Sequence, residues 1–491
     1  MFHFIRPNGV NQTSLAINYD QQDSQISPVL PWIVAVTTFM QAVDGSILHN
    51  AIPSIAKALA VDPLKMRWVV VAYLLTTALF IPVSGWLADK FGVRRIFCLA
   101  IVVFSLGSLC CALSRSLTYL VASRVLQGIG GALMVPVGRL AVVKIYGHSG
   151  ELIKVLSFIS LPAIMGPVFG PIVGGFFVQY VSWYWIFLIN IPVGVCAFFM
   201  TFKHMPDLRE LEINKFDFWG FGFFSVSIAI LSLWLVIAPD SGLIKNLDAL
   251  IIGLALMSIY WLLLAKRPGA IFQVAILKKP GFLVGILGSM CSRMGTGAMP
   301  FMVPMFLQLS LGFSPIRAGL FLLAQATGSF TGKNLINIFL PKIGYKNFLQ
   351  INTIFLGLIV CSFSIISSNI SNYYLIIILF IYGTINSMQF TAMNSYILID
   401  LDHQEAGTGN SLLSVVIQIC SNSGVAMAAG LLTLFARLSD KVSFQPSVSN
   451  APIFGLTFII IGLIILCASL VMRKIPKDAD TAKNNQMTHW G

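Results

Sequence analysis

Runs of roughly 18 or more largely uncharged residues recur from Pro28 to Met472, and each can cross a hydrocarbon layer of ~30 Å as a helix of ~20 residues. About fourteen are expected, centred near Ala35, Leu75, Phe104, Ile129, Met165, Val193, Ser227, Leu256, Leu287, Ala324, Leu358, Phe380, Ile419 and Ile461. With 57% hydrophobic and 10% charged residues and a mean hydropathy of +0.86, the chain has too little polar surface for a soluble fold. Membrane barrel strands alternate apolar and polar residues over segments of ~10, which these runs do not do. The expected fold class is an all-α membrane protein.

The net charge of +13 does not point to nucleic acid, because of where the charge sits. If the amino terminus is cytoplasmic and spans alternate, about 21 of the 31 Lys and Arg residues fall on the inside. The heaviest inside clusters are Lys90/Arg94/Arg95, Lys203/Arg209/Lys215, Lys266/Arg267/Lys278/Lys279 and Arg473/Lys474/Lys477. Contact with anionic lipid and topology setting account for most of them. An acidic turn at Asp400–Glu405 runs against this bias, although acidic residues count little in it. The eight cysteines fall mostly inside spans, with no paired Cys or His spacing that suggests a disulfide framework or a metal. The first residues are polar and lack an apolar core, so they read as a tail and not a signal peptide.

Loop lengths divide the chain. A polar cytoplasmic tail (1–27) precedes a six-helix bundle (28–203). Charged linkers and two inserted helices follow (204–280), then a second six-helix bundle (281–472) and a cytoplasmic tail (473–491). Two such bundles related by an axis along the membrane normal form a known transporter plan, with the substrate site between them at mid-membrane. The segment Asn337–Lys346 echoes Gly85–Arg94 only in Gly344 and its basic residues.

Asp44 lies deep in the first apolar run, where a charge costs at least ~2.5–3.5 kcal/mol and so marks a functional site. Arg124 lies well inside the fourth span and cannot lose its proton. Asp44 or backbone carbonyls of the first span are its candidate acceptors. An arginine favours the charged form of a neighbouring carboxylate and burial disfavours it; a balance that changes with conformation would let a carboxylate load and release a proton. His49 is five residues beyond Asp44, roughly 140° around the helix, and is a second titratable group.

Four motifs agree in order and spacing. The loop after the second span reads Gly85-Trp-Leu-Ala-Asp89-Lys90-Phe-Gly92-Val-Arg94-Arg95. The fourth span carries Arg124-Val-Leu-Gln127-Gly128-Ile-Gly130-Gly131-Ala132. The fifth carries Gly166-Pro-Val-Phe-Gly170-Pro171-Ile-Val-Gly174-Gly175, and the first carries Asp44-Gly-Ser46-Ile-Leu-His49-Asn-Ala-Ile-Pro53. Together with Trp183–Gly194 they resemble the signatures of the major facilitator superfamily, and within it the fourteen-span drug:proton antiporters, where Asn is usual at the position of His49. The stretches Met134–Leu140 and Phe301–Pro315 carry a narrower likeness within that family.

The resemblance implies the major facilitator fold, two six-helix bundles plus two extra central helices. It implies that Asp44 and Arg124 couple proton movement to transport, and that Gly85, Asp89, Lys90, Gly92, Arg94 and Arg95 form a latch between the halves. From chemistry alone, Gly85 and Gly92 permit a tight connection. Asp89 can accept hydrogen bonds from a helix amino terminus, and the basic residues reach carboxylates or lipid phosphates. Gly166, Gly170, Pro171, Gly174 and Gly175 give the fifth span a small-residue face and a bend, a packing and hinge surface.

Gln127, Arg293, Asn386, Gln389, Asn394 and Gln418 are candidate lining for an amphipathic substrate cavity. Arg293 needs a partner, which a bound anion, carbonyls or a carboxylate from elsewhere would supply. The segment Gly328–Asn334 superficially matches a phosphate loop but is one residue short and ends in Asn. No catalytic motif is found, so the chain is expected not to be an enzyme, with no metal and no cofactor.

The expected function is export of small organic, amphipathic or drug-like compounds in exchange for protons, driven by the proton gradient across the cytoplasmic (inner) membrane. A dedicated exporter or facilitator of one metabolite is the alternative, and a non-transporting receptor or scaffold comes third. Expected partners are a small-molecule substrate, protons and membrane lipids; a periplasmic adaptor is a partner class the sequence does not show. Both termini are expected on the cytoplasmic side, with the linkers Lys203–Asp217 and Lys266–Lys279. Reporter fusions at Arg6 and Arg473 should report the same face, and opposite faces would remove the even span count.

Overall fold

The computed structural model describes residues 27–475, except 148–149, 211–214, 242–245, 268–269, 273, 367–369, 400, 402 and 440–450. The two expected tails lie almost entirely outside the described residues, as do Asp400 and Asp402 of the acidic turn.

In lipid every backbone polar group must be satisfied within the protein, which restricts a chain this apolar to helices or a closed barrel. The regular structure of the described residues is all helix, with no strand among them. The first six long helices are α1 (Leu30–Ala58), α2 (Arg67–Phe91), α3 (Val93–Ala112), α4 (Leu117–Tyr146), α5 (Leu152–Phe176) and α6 (Asn190–His204). Then come α7 (Phe218–Ser241) and α8 (Leu247–Ile259). The last six are α9 (Pro280–Met305), α10 (Pro315–Ile343), α11 (Tyr345–Ser362), α12 (Asn372–Ile399), α13 (His403–Leu438) and α14 (Ala451–Met472).

Twelve helices of the described residues are long and apolar enough to cross a membrane. α9 and α10 are 26 and 29 residues long but fall short on apolarity. Local signals set the ends: Ser116 accepts from the Tyr119 N–H at α4, and Ser314 accepts from the Arg317 N–H just before Pro315 opens α10.

The pairings within α1–α6 recur within α9–α14: first with fifth, second with fourth, third with sixth, and first with sixth. The turns match too. Gly92, between α2 and α3, has φ 97°, and Gly344, between α10 and α11, has φ 78°, values that an L side chain adopts only with strain. Between the two sets, α5 packs along α10 and α2 along α13. The inserted α7 lies against both α2 and α13, and Val236 O accepts from the buried Arg67 Nη2 at 3.2 Å. α8 packs mainly on α7 and is the least buried of the twelve apolar helices.

The small residues of α5 set how closely the elements approach. A Cβ at Gly166 would lie 2.7 Å from the Ala42 carbonyl carbon, and one at Gly174 2.9 Å from Ile47 O, both on α1. At Gly170 it would strike the Ser46 hydroxyl, which donates to Gly166 O at 2.9 Å. Gly175 faces α10 instead, where a Cβ would sit 2.6 Å from Pro315 O. Such contacts let backbones meet where lipid offers no hydrophobic drive for helix association. Around this crossing, Asn50 Nδ2 donates to Pro171 O (2.7 Å) and Pro315 O (2.9 Å), Gln308 Nε2 donates to Asn50 Oδ1 (3.0 Å), and the Ile316 N–H donates to Gln179 Oε1 (3.3 Å). These bonds clamp the two halves together at the end opposite the Gly85–Arg95 turn.

Gly175→Leu should wedge α5 from α10 and open this end. A cysteine replacing Gln179 in that background should react several-fold faster with a membrane-impermeant maleimide than in a Gly175 background; equal rates would show that the crossing does not hold the end shut.

Candidate functional site

Asp44 and Arg124 are both almost completely buried, at 2% and 1% exposure, and Arg124 Nη1 donates to Asp44 Oδ2 at 2.7 Å. Of the two acceptors considered for Arg124, the carboxylate is the one used. Asp44 Oδ1 accepts from Gln127 Nε2 and from Asn190 Nδ2, each at 2.8 Å. Ser108 Oγ accepts from the same two amides at 2.7 and 3.1 Å, while Gln127 Oε1 accepts from Arg124 Nη1 at 2.6 Å. The guanidinium lies 4.2 Å from the ring centroid of Tyr73, whose hydroxyl accepts from Gln41 Nε2 at 3.1 Å. Side chains of α1, α2, α3, α4 and α6 thus meet in one polar knot inside the first six helices.

The knot is separate from the central cavity, although α1 serves both. A cavity of about 500 Å³ lies between the halves. Ala42, Gly45, Ser46 and His49 of α1 and Pro167 and Val168 of α5 line one side. Opposite stand Met299, Pro300 and Pro304 of α9, Gln325, Ser329 and Lys333 of α10, and Asn386, Phe390 and Thr391 of α12. The lower apolarity of α9 and α10 follows from this position, since both turn a face to the cavity instead of to lipid. His49 is on the cavity wall, and its buried Nδ1 has no hydrogen-bond partner. Successive positions of one helix therefore point the Asp44 carboxylate into the bundle and Gly45, Ser46 and His49 into the cavity.

A family model described as the Major Facilitator Superfamily matches residues 34–425. The chain belongs to this superfamily. Among curated relatives, "Putative multidrug resistance protein MdtD" of Salmonella heidelberg is 41% identical over 449 residues, covering 91% of this chain and 94% of the relative. The protein of that name from Serratia proteamaculans is 41% identical over 459 residues, covering 93% and 95%. Among solved structures, the POT family transporter PepTSo superposes with a TM-score of 0.68 at 12% identity, covering 94% of this chain and 99% of that one. A D-xylose-proton symporter gives 0.65 at 13% identity, covering 92% and 98%. At such identities the two structures establish a shared fold only. The chain is a multi-pass membrane protein of a transporter superfamily.

Against this facilitator fold, the candidate residues separate into three places. Gln127, expected in the substrate cavity, is fully buried in the Asp44 knot, because its place one helical turn after Arg124 points it the same way. Asn386 lines the cavity. Gln389 turns into the second bundle, where its Oε1 accepts from Asn352 Nδ2 (2.9 Å) and its Nε2 donates to Thr353 Oγ1 (2.8 Å). Gln418 is half-buried on α13 and is not among the described cavity residues. Among the described residues Arg293 meets no carboxylate: its Nε donates to Ser289 Oγ and its Nη2 to the side-chain amide carbonyl Oδ1 of Asn394, both at 2.7 Å, beneath the ring of Phe390.

The loop residues are bound within the first half. Asp89 accepts from Lys144 Nζ at 2.8 Å, not from a helix amino terminus, because its position in the last turn of α2 aims it at the end of α4. Lys144 also reaches Glu210 at 2.7 Å, and Arg95 and Arg209 flank Asp207 at 3.5 and 3.2 Å. Lys90 lies over Trp86 and Arg94 over Phe202. Gly85 leaves open space around it, while a side chain at Gly92 would strike the Asp207 carboxylate. The described partners of Asp89, Lys90, Arg94 and Arg95 all lie within residues 86–210, so among the described residues the loop ties the first bundle to the connector that follows it.

Sequence reasoning misses Asn190 and Ser108 as site residues: Asn190 lies in the Trp183–Gly194 motif, which marks its spacing, whereas Ser108 carries no signal beyond being polar in a span. Asn190→Leu removes a hydrogen bond to a charged group, worth about 1.5–3 kcal/mol. It should lower the apparent unfolding temperature of the purified protein, and an unchanged temperature would remove Asn190 from the knot's support.

Proposed function

We propose that this protein is a proton-driven exporter of small organic compounds, working by alternating access in the cytoplasmic membrane with both termini inside. The observation that carries the reading is the shared helix. The buried Asp44–Arg124 pair and the cavity wall at Gly45, Ser46 and His49 occupy consecutive turns of α1, so a change in one face of that helix must be felt by the other.

Three donors hold the Asp44 carboxylate, and a proton arriving there would cancel the charge that binds Arg124. Arg124 has an alternative acceptor in Gln127 Oε1 and a cation–π contact with Tyr73, which leave the arginine partnered while Asp44 is neutral. Loss of one strong tie between α1 and α4 would then bias how α1 packs on α5, and through the Gly175–Pro315 crossing how the halves meet. Export, instead of uptake, is supported by the relatives' names and by the glycine-rich face of α5. The membrane position and orientation are supported by the distribution of lysine and arginine.

Asp44→Asn imitates the protonated side chain. In proteoliposomes it should abolish concentrative transport driven by a pH gradient while sparing downhill counterflow of the same substrate. A variant that still concentrates substrate with protons as the sole energy source would refute the role of Asp44 and leave His49 as the next titratable candidate.

A further inference from the structure

We propose that the central cavity takes an amphipathic organic anion, a carboxylate, sulfonate or phosphate ester on an apolar body, held by Lys333 and Arg293. The inference rests on reading the cavity as the transport site. Its first support is the charge of the wall. Lys333 of α10 lines the cavity and no acidic side chain does, among the described residues. Asp44, the nearest carboxylate in sequence to that wall, is turned away and occupied by Arg124, Gln127 and Asn190. An organic cation entering here would meet a like charge and no counter-ion.

The second support is Arg293, 7% exposed and without an ion-pair partner among the described residues. Its Nη1 makes no hydrogen bond among the described residues, while Nε and Nη2 are held by the neutral oxygens of Ser289 and Asn394. A permanently charged guanidinium buried without a carboxylate is costly, and a planar fork with free N–H groups suits carboxylate or phosphate. Arg293 lines a small recess walled by Asn386 and Phe390, and these two residues also line the main cavity. Phe390 covers the guanidinium at 4.2 Å, so rotation of one side chain would join recess to cavity. Lys333 sits 18 residues along α10 from Pro315, about 27 Å, away from the clamped end. The arrangement places the lysine on the open wall to meet an anion and the arginine deeper to hold it.

The test uses full-length carrier in nanodiscs of neutral lipid and three probes of one shape: 2-naphthoate, 2-naphthamide and 2-naphthylmethylammonium, with dissociation constants from calorimetry. The naphthoate should bind at least about tenfold more tightly than the ammonium, and Lys333→Gln should erase about tenfold of that preference, the worth of one charge-assisted hydrogen bond. Lys333 makes no hydrogen bond or ion pair among the described residues, so this substitution leaves the fold intact. Equal or tighter binding of the ammonium, or a preference unmoved by Lys333→Gln, would overturn the inference. Gly45→Trp separates the two readings, since a side chain there enters open space in the cavity. If it blocks all three probes and the anion has no advantage, the anion inference alone falls. If it leaves naphthoate binding unaltered, the cavity is not the binding site and the functional reading falls with it.

Discussion

The pairing of Asp44 with Arg124 is the constraint on which the first six helices depend. Neither charge can remain in a dry interior by itself, and removing one partner of such a pair typically costs about 3–5 kcal/mol because the other is left uncompensated. Attraction between the two charges is only part of the solution. Gln127, Asn190 and Ser108 supply the remaining hydrogen bonds, and each comes from a helix whose position is thereby fixed. A half-satisfied network of this kind would be worse than an apolar core. The polar knot does for this bundle what hydrophobic burial does for a soluble domain, because lipid tails give apolar side chains no reason to prefer one another.

Close packing on the glycine face of α5 is the second constraint, and it follows from the first. α1 can present Asp44 to α4 and α6 only if its opposite side is held at short distance, and Gly166, Gly170 and Gly174 allow the α5 backbone to supply that support. The same helix then crosses to α10 through Gly175. A displacement of α1 is therefore transmitted to the interface between the halves through backbone contacts, which have little compliance. The knot, the glycine seam and the clamped end form one mechanical series.

The cavity combines this machinery with an unusual charge balance. Its described wall is basic, and the buried Arg293 behind Phe390 is held by neutral oxygens alone. The name "multidrug resistance protein" describes the relatives and does not select a ligand. The lysine on the wall would discriminate under the anion proposal, because in a confined, partly desolvated space like charges repel far more strongly than in water.

The helical membrane class was legible in the sequence because span length and apolarity are local properties: about fourteen runs are apolar enough to be noticed, and a backbone in lipid has few alternatives. Asp44 and Arg124 were legible for the same reason, since a charge in an apolar run is conspicuous wherever it ends up. What each polar side chain faces was not legible. Gln127 and Asn386 look alike as polar residues in spans, yet one completes the buried knot and the other lines the cavity. Lys333, seen only inside a chance phosphate-loop match, proved to be a cavity residue, and Asp89 turned to Lys144 instead of capping a helix. These outcomes depend on the rotation of each helix about its axis, which is set by contacts between segments far apart in the chain. Tertiary structure alone decided them, because helical periodicity assigns a residue to a face but only packing decides what that face meets.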